Sequence, residues 1–241
     1  MRALWLWMPG LILFAAIAHA DPVCGIPDDL VMHDLAFPIA KHAVATAHRI
    51  DILALGGAFT SGTAAGDPQA AYPVRLQAEL TALLPGVTVS VVSGAKPGST
   101  LEATVATIAT QIATSGARLV IWAPGAHDIV SHPDVDGFAT NLETGIDIVR
   151  TSGADLMLMD MQYVPLFEQW SRIEDYRAML RGTADAHDVP IFPRHELMRA
   201  WSDAGMLDLA ASDKADQARM IRDLFACVAK GLAAPIAGAV R

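Results

Sequence analysis

Short continuous apolar runs alternate along this chain with stretches whose apolar residues recur at helical spacing. The runs at 51–55, 87–92, 118–122, 156–159 and 189–192 read as five strands, each apolar on both faces. Between them the pattern predicts helices over 70–84, 99–115, 138–151, 170–187 and 196–203, with a closing helix over 214–234. In the first of these, Tyr72, Leu76, Leu80 and Leu83 share one face, and Pro85-Gly86 ends it. Ser99 is expected to cap the second, with Glu102 at the capping-box position. A short Ala- and His-rich helix is expected over 39–48, and a loop over 123–136.

Apolar strands separated by amphipathic helices imply a parallel sheet covered on both faces. Right-handed crossovers leave few topologies. The simplest is a flavodoxin-like three-layer α/β/α sandwich whose five-stranded parallel sheet has the order 2-1-3-4-5. In such a sheet ligands bind beyond the carboxyl ends of the strands. The loops at 57–66, 94–98 and 125–133 follow the first three strands and are expected to share one crevice.

The first residues do not belong to that pattern. Arg2, an apolar run over 4–17 and the small-x-small site Ala18-His19-Ala20 read as a signal peptide over 1–20. The run is short for a membrane span, although an uncleaved anchor is the alternative. Residues 21–49 then form an N-terminal arm, and 50–241 one domain with no linker rich enough to divide it. The expected location is exported, periplasmic or secreted, with no membrane span after cleavage.

Composition narrows the classes. The chain has 241 residues, of which 53% are hydrophobic, enough for a sizeable single core. Its formal net charge is −9, and no basic cluster offsets this, so nucleic acid is not an expected partner. The two cysteines, Cys24 and Cys227, have no CxxC or His-spaced partner, and His33, His42 and His48 lack metal-ligand spacing. No metal or organic cofactor is implied. Export favours one disulfide, Cys24 to Cys227, tying the arm to the last helix; two buried free thiols are the other reading.

The first strand ends in Leu55-Gly56-Gly57-Ala58-Phe59-Thr60-Ser61-Gly62, a turn of small residues and hydroxyls. It resembles the first block of the SGNH/GDSL hydrolases, Gly-Asp-Ser-x-(Thr/Ser). Other marks lie in matching order: Cys24-x-x-Pro27, Ala71-Tyr72-Pro73-x-Arg75-Leu76, Leu119-Val120-Ile121-Trp122 with Gly125, Met159-Asp160-x-Gln162-Tyr163-x-Pro165, and the late cysteine.

The resemblance implies a serine nucleophile, a histidine base, an orienting acid and oxyanion donors. It places the nucleophile at Ala58, which has no oxygen. It places an oxyanion donor at Gly94, and sets His127 of Gly125-Ala126-His127-Asp128 where the family has asparagine. A neutral imidazole still offers one N–H. Counting back from Cys227 puts the family's Asp-x-x-His on Asp216-Gln217-Ala218-Arg219, so Asp216 is the acid and Arg219 replaces the histidine. An alternative alignment at 208–211 also lacks histidine. Arginine has no accessible neutral form near neutral pH; its plain role is an ion pair with Asp216.

Three functions follow as expectations. The first is a catalytically impaired relative that binds an acylated or glycan-like ligand or an envelope partner. The second is an active ester hydrolase with rearranged residues, Ser61 and His127, assisted by Asp128 or Asp160. The third is a structural factor whose crevice has closed.

Overall fold

The computed structural model describes residues 24–241 except 132–133, 166–171, 210 and 212. The leader expected over 1–20 lies outside the described residues. Five strands, β1 (Arg49–Leu55), β2 (Thr88–Ser93), β3 (Leu119–Trp122), β4 (Asp155–Met159) and β5 (Ile191–Phe192), form one parallel sheet in the order β2-β1-β3-β4-β5. This is the expected order.

Ten α-helices accompany them among the described residues: α1 (Pro38–Ala47), α2 (Ala58–Ser61), α3 (Tyr72–Leu83), α4 (Leu101–Val105), α5 (Ile108–Ser115), α6 (Ala126–Ser131), α7 (Val135–Thr151), α8 (Arg172–Ala186), α9 (Arg194–Asp203) and α10 (Lys214–Val240). Successive strand residues point to opposite faces. Ile50, Ile52 and Ala54 of β1 therefore pack with α1, α3, α9 and α10, while Leu53 and Leu55 pack with α4, α5, α7 and α8. Both faces are covered, which is why the strands read as unbroken apolar runs.

α7 lies close enough to β3 that a Cβ at Gly145 would overlap the Trp122 ring. By length and composition α10 can cross a membrane, but 67% of its most apolar window is buried inside the fold, so it is a core helix. The arm is fastened at both ends. Cys24 and Cys227 form a disulfide with their Cα atoms 5.3 Å apart, Trp201 Nε1 donates to the Gly25 carbonyl at 2.8 Å, and Phe37 is buried.

Three helix boundaries differ from the sequence pattern. The helix expected over 99–115 is two helices, α4 and α5, and its cap is Thr100, whose Oγ1 accepts the Ala103 N–H at 3.2 Å. Ser99 is not the cap. Thr104 and Thr107 donate their hydroxyls to the Thr100 and Thr104 carbonyls, both at 2.9 Å. Such local bonds compete with a regular helix and coincide with its break. The expected loop over 123–136 holds α6 and the first two residues of α7. α10 continues past 234 through Pro235 to Val240, because packing on its apolar face outweighs the lost bond at proline.

Candidate functional site at the carboxyl ends of the strands

Gly56 leaves β1 with φ 155°, and a Cβ there would overlap the Thr60 hydroxyl. Glycine thus lets α2 fold tightly back over the strand end. Ala58 is the first residue of α2 and is exposed, which is where a strand-to-helix turn presents a side chain outward. That side chain is a methyl group. Thr60 faces the interior and is fully buried. Ser61 Oγ donates to the Ala58 carbonyl at 3.2 Å and lies 2.9 Å from Thr63 Oγ1.

The second loop corrects one expectation. The Gly94 N–H donates to the Ala54 carbonyl at 2.9 Å, the last rung joining β2 to β1, so it does not face an oxyanion. A Cβ there would push aside the end of the Gln111 side chain. The loop instead crosses to β1 through the Lys96 N–H, which donates to the Gly56 carbonyl at 3.0 Å. Further along, Gly98 has φ 73° and an exposed N–H with no hydrogen-bond acceptor among the described residues.

The third loop carries His127 and Asp128 on α6. Together with Gly56, Gly57, Ser99 and Thr104 they line a narrow crevice of about 20 Å³, room for a single water. Ser61 is not among the lining residues, and no hydrogen bond joins it to His127. The Asp128 carboxylate accepts the Leu101 N–H with both oxygens, at 3.1 and 3.0 Å. Burial pushes its pKa up, and these amide bonds only partly offset that. A Ser61–His127–Asp128 relay is therefore not assembled in this arrangement.

Asp216 and Arg219 lie on the first turns of α10, both exposed, and pair with each other at i,i+3. The helix begins at Lys214, capped by Asp213, so both residues ride on its surface. Asp160, at the end of β4, cannot serve Ser61 and His127 either. It is 1% exposed and pairs with Arg177 at 3.0 Å and Arg181 at 2.8 Å, and Glu196 bonds both arginines. Burial alone would raise the Asp160 pKa, but the Arg177 hydrogen bond and the charges of Arg177 and Arg181 bring it below the usual carboxylate value. Sequence reasoning missed this network. Arg177 and Arg181 are one helical turn apart on α8, which is a visible signal, but their partners lie 17 and 21 residues away in Asp160.

A three-layer α/β/α sandwich with a glycine turn after β1 and a crevice beyond β1 and β3 defines an SGNH-hydrolase fold. The non-GDSL lipase-like family model matches residues 23–241, and the chain belongs to that family. Among solved structures, TesA is 20% identical with a TM-score of 0.57, covering 73% of this chain and 97% of its own. The psychrotrophic esterase EstA from Pseudoalteromonas sp., solved with monoethylphosphonate as inhibitor, is 17% identical with a TM-score of 0.56, covering 72% and 92%. AlinE4, an SGNH-hydrolase family esterase, is 19% identical with a TM-score of 0.54, covering 64% and 80%. At these identities the structural likeness speaks for the fold. A search of curated proteins finds no match.

Proposed function

We propose that this chain is an exported, catalytically impaired member of its family that recognises an acylated or glycan-type ligand, or a partner in the cell envelope, at the mouth of the crevice. The observation that carries the reading is Ala58: the turn that aims a side chain outward at the end of β1 aims a methyl group. Without an oxygen there, the acyl carbon has no nucleophile at the position the fold provides. Arg219, ion-paired to Asp216, adds to the argument, because a guanidinium does not accept a proton near neutral pH. A crevice with room for one water favours recognition by its rim over burial of a whole ligand.

The second reading, an ester hydrolase using Ser61 and His127, draws on His127 lining that crevice. One experiment separates the two. Purified protein lacking residues 1–20 is assayed with p-nitrophenyl acetate and butyrate beside its Ser61→Ala variant. The binding reading expects both at background, with thermal protection by acetylated glycans or capture of an envelope partner. Turnover that Ser61→Ala abolishes sinks it in favour of the rearranged hydrolase.

A further inference from the structure

Each edge of a sheet leaves a row of backbone N–H and C=O groups without a strand partner. At one edge of this sheet, β5 is two residues long and follows Pro190, and Leu35 and Ala36 of the arm share a surface hollow with Val189 and Pro190. At the other edge, β2 runs for six residues, Thr-Val-Ser-Val-Val-Ser, with no proline, glycine or charge. The Thr88 N–H donates to the His48 carbonyl at 2.8 Å, and the Gly94 N–H to Ala54. Residues 88, 90, 92 and 94 therefore turn their backbone groups toward β1, and Val89, Val91 and Ser93 turn theirs outward. Of these three outward N–H groups, only that of Val91 has an acceptor among the described residues, Gln77 Oε1 at 2.9 Å.

The surface around that edge is short of charge. In a chain that is 18% charged, residues 80–117 hold only Lys96 and Glu102. α3 packs beside β2 and exposes Val74 and Gln77, one turn apart. On α5, Gln111 reaches Gly94, and Thr107 and Thr114 lie a turn to either side of it. Val74 and Val92 are each 44% exposed, the highest values among the large hydrophobics of this side. Arg49 and Asp51, at the start of β1, pair with each other at 2.6 Å and give this face no net charge. Edges that stay alone are commonly blunted by lysine, proline or a bulge; here Gln77 alone does so.

We propose that the β2 edge is a docking surface for a second copy of this chain. Charge selects the occupant. Each copy has a formal net charge of −9, so two copies repel over most of their surface and approach best where neither carries charge. A basic partner is drawn instead to the acidic remainder. A twofold axis at Val91 sets the two β2 strands antiparallel. The two Val91 residues then exchange N–H···O bonds, and Val89 of each copy exchanges them with Ser93 of the other. Val92 packs across from Ser90 of the other copy, and Gln77 gives up the Val91 N–H. Ser93 leads directly into the loop at 94–98, so the pairing also fixes the start of that crevice wall.

The test is sedimentation equilibrium of protein lacking residues 1–20 over a concentration series, with amide hydrogen exchange read residue by residue. The proposal expects a reversible monomer–dimer equilibrium that tightens as salt screens the acidic copies from each other. Exchange at the Val89 and Ser93 amides should slow in the dimer. Val92→Lys, at an exposed position, should weaken dimerisation by about tenfold or more, because it brings like charges together at the axis. Should that variant not fold, Thr88→Lys repeats the test at another exposed position of the strand. Gln77→Ala should tighten the dimer by removing the group that competes for the Val91 N–H. A monomer at every concentration in both the parent and Gln77→Ala overturns the proposal. So does a dimer with unchanged exchange at Val89 and Ser93, a dimer indifferent to the lysine, or growth beyond the dimer.

Discussion

Asp128 receives the Leu101 N–H on both of its carboxylate oxygens, across 27 residues of chain. The contact pins the start of α4, and with it the second crevice loop, to the third. Asp128→Ala leaves a buried N–H without a partner and should destabilise the protein by about 1–3 kcal/mol. Asp128→Asn keeps one acceptor oxygen and should cost less. Urea unfolding of the two variants checks the order; equal and negligible losses contradict the pinning role.

Asp128 and Asp160 should shape acid stability in opposite directions. Burial raises the folded-state pKa of Asp128. The folded protein therefore holds that proton more tightly than the unfolded chain, and ionising it removes stability as pH rises from the ordinary carboxylate range through the raised value. Asp160 is lowered by its arginines despite burial. Its contribution is present above the ordinary carboxylate pKa and is lost as pH falls toward the lowered one. Unfolding free energies between pH 3 and 6 should fall less steeply with acid in Asp160→Asn than in the parent, and Asp128→Asn should lose the opposing trend.

Arg177 is 4% exposed and touches Asp160, Glu174 and Glu196. Arg177→Met leaves buried Asp160 and half-buried Glu196 to Arg181 alone and should cost about 3 kcal/mol, the low end for breaking a buried pair. The double variant Arg177→Met with Asp160→Leu should recover part of this, because removing both charges relieves the uncompensated burial. A double variant as unstable as the sum of the singles refutes the coupling.

The disulfide joins residues 203 apart in sequence. In the chain-entropy account a loop of that length contributes on the order of 5 kcal/mol, before any native strain is subtracted. Cys24→Ala with Cys227→Ala should therefore lower the midpoint of urea unfolding substantially while leaving the sheet intact. An unchanged midpoint shows that the Trp201–Gly25 bond and Phe37 hold the arm unaided.

The strands were legible because a doubly covered parallel sheet needs unbroken apolar runs, and Ile52 to Leu55 is such a run. The cysteine pairing was legible because each thiol had one candidate partner. The helix break at Ala106 and Thr107 was not, because it follows from hydroxyls of Thr104 and Thr107 turning onto local carbonyls, a choice the apolar period does not record. Gly94 illustrates a deeper limit. A glycine after a strand is compatible with an oxyanion donor and with a last ladder rung beside Gln111, and only the register between β1 and β2 decides. The Asp160 network was illegible for a similar reason: its partners are set by where α8 and α9 pack, not by spacing.

The last prediction concerns restoring chemistry. Ala58→Ser should leave ester hydrolysis at background, because a serine without a base is a poor nucleophile, and most of a triad's effect vanishes with any one member. Ala58→Ser combined with Arg219→His should do better. Asp216 and position 219 already share one face of α10, and Asp216 is bound there to the guanidinium. Replacing Arg219 frees that carboxylate to hold an imidazole at the same i,i+3 spacing and orient it as a base. A positioned base contributes on the order of 10²-fold or more, so the double variant should exceed Ala58→Ser by at least that factor. The assay is p-nitrophenyl acetate turnover for all four combinations of the two positions. If Ala58→Ser alone is active and His127→Ala abolishes that activity, the base is on α6 and the assignment of position 219 is wrong. If the double variant equals the single, the first turn of α10 does not reach the end of β1, and Asp216 has no part in the site.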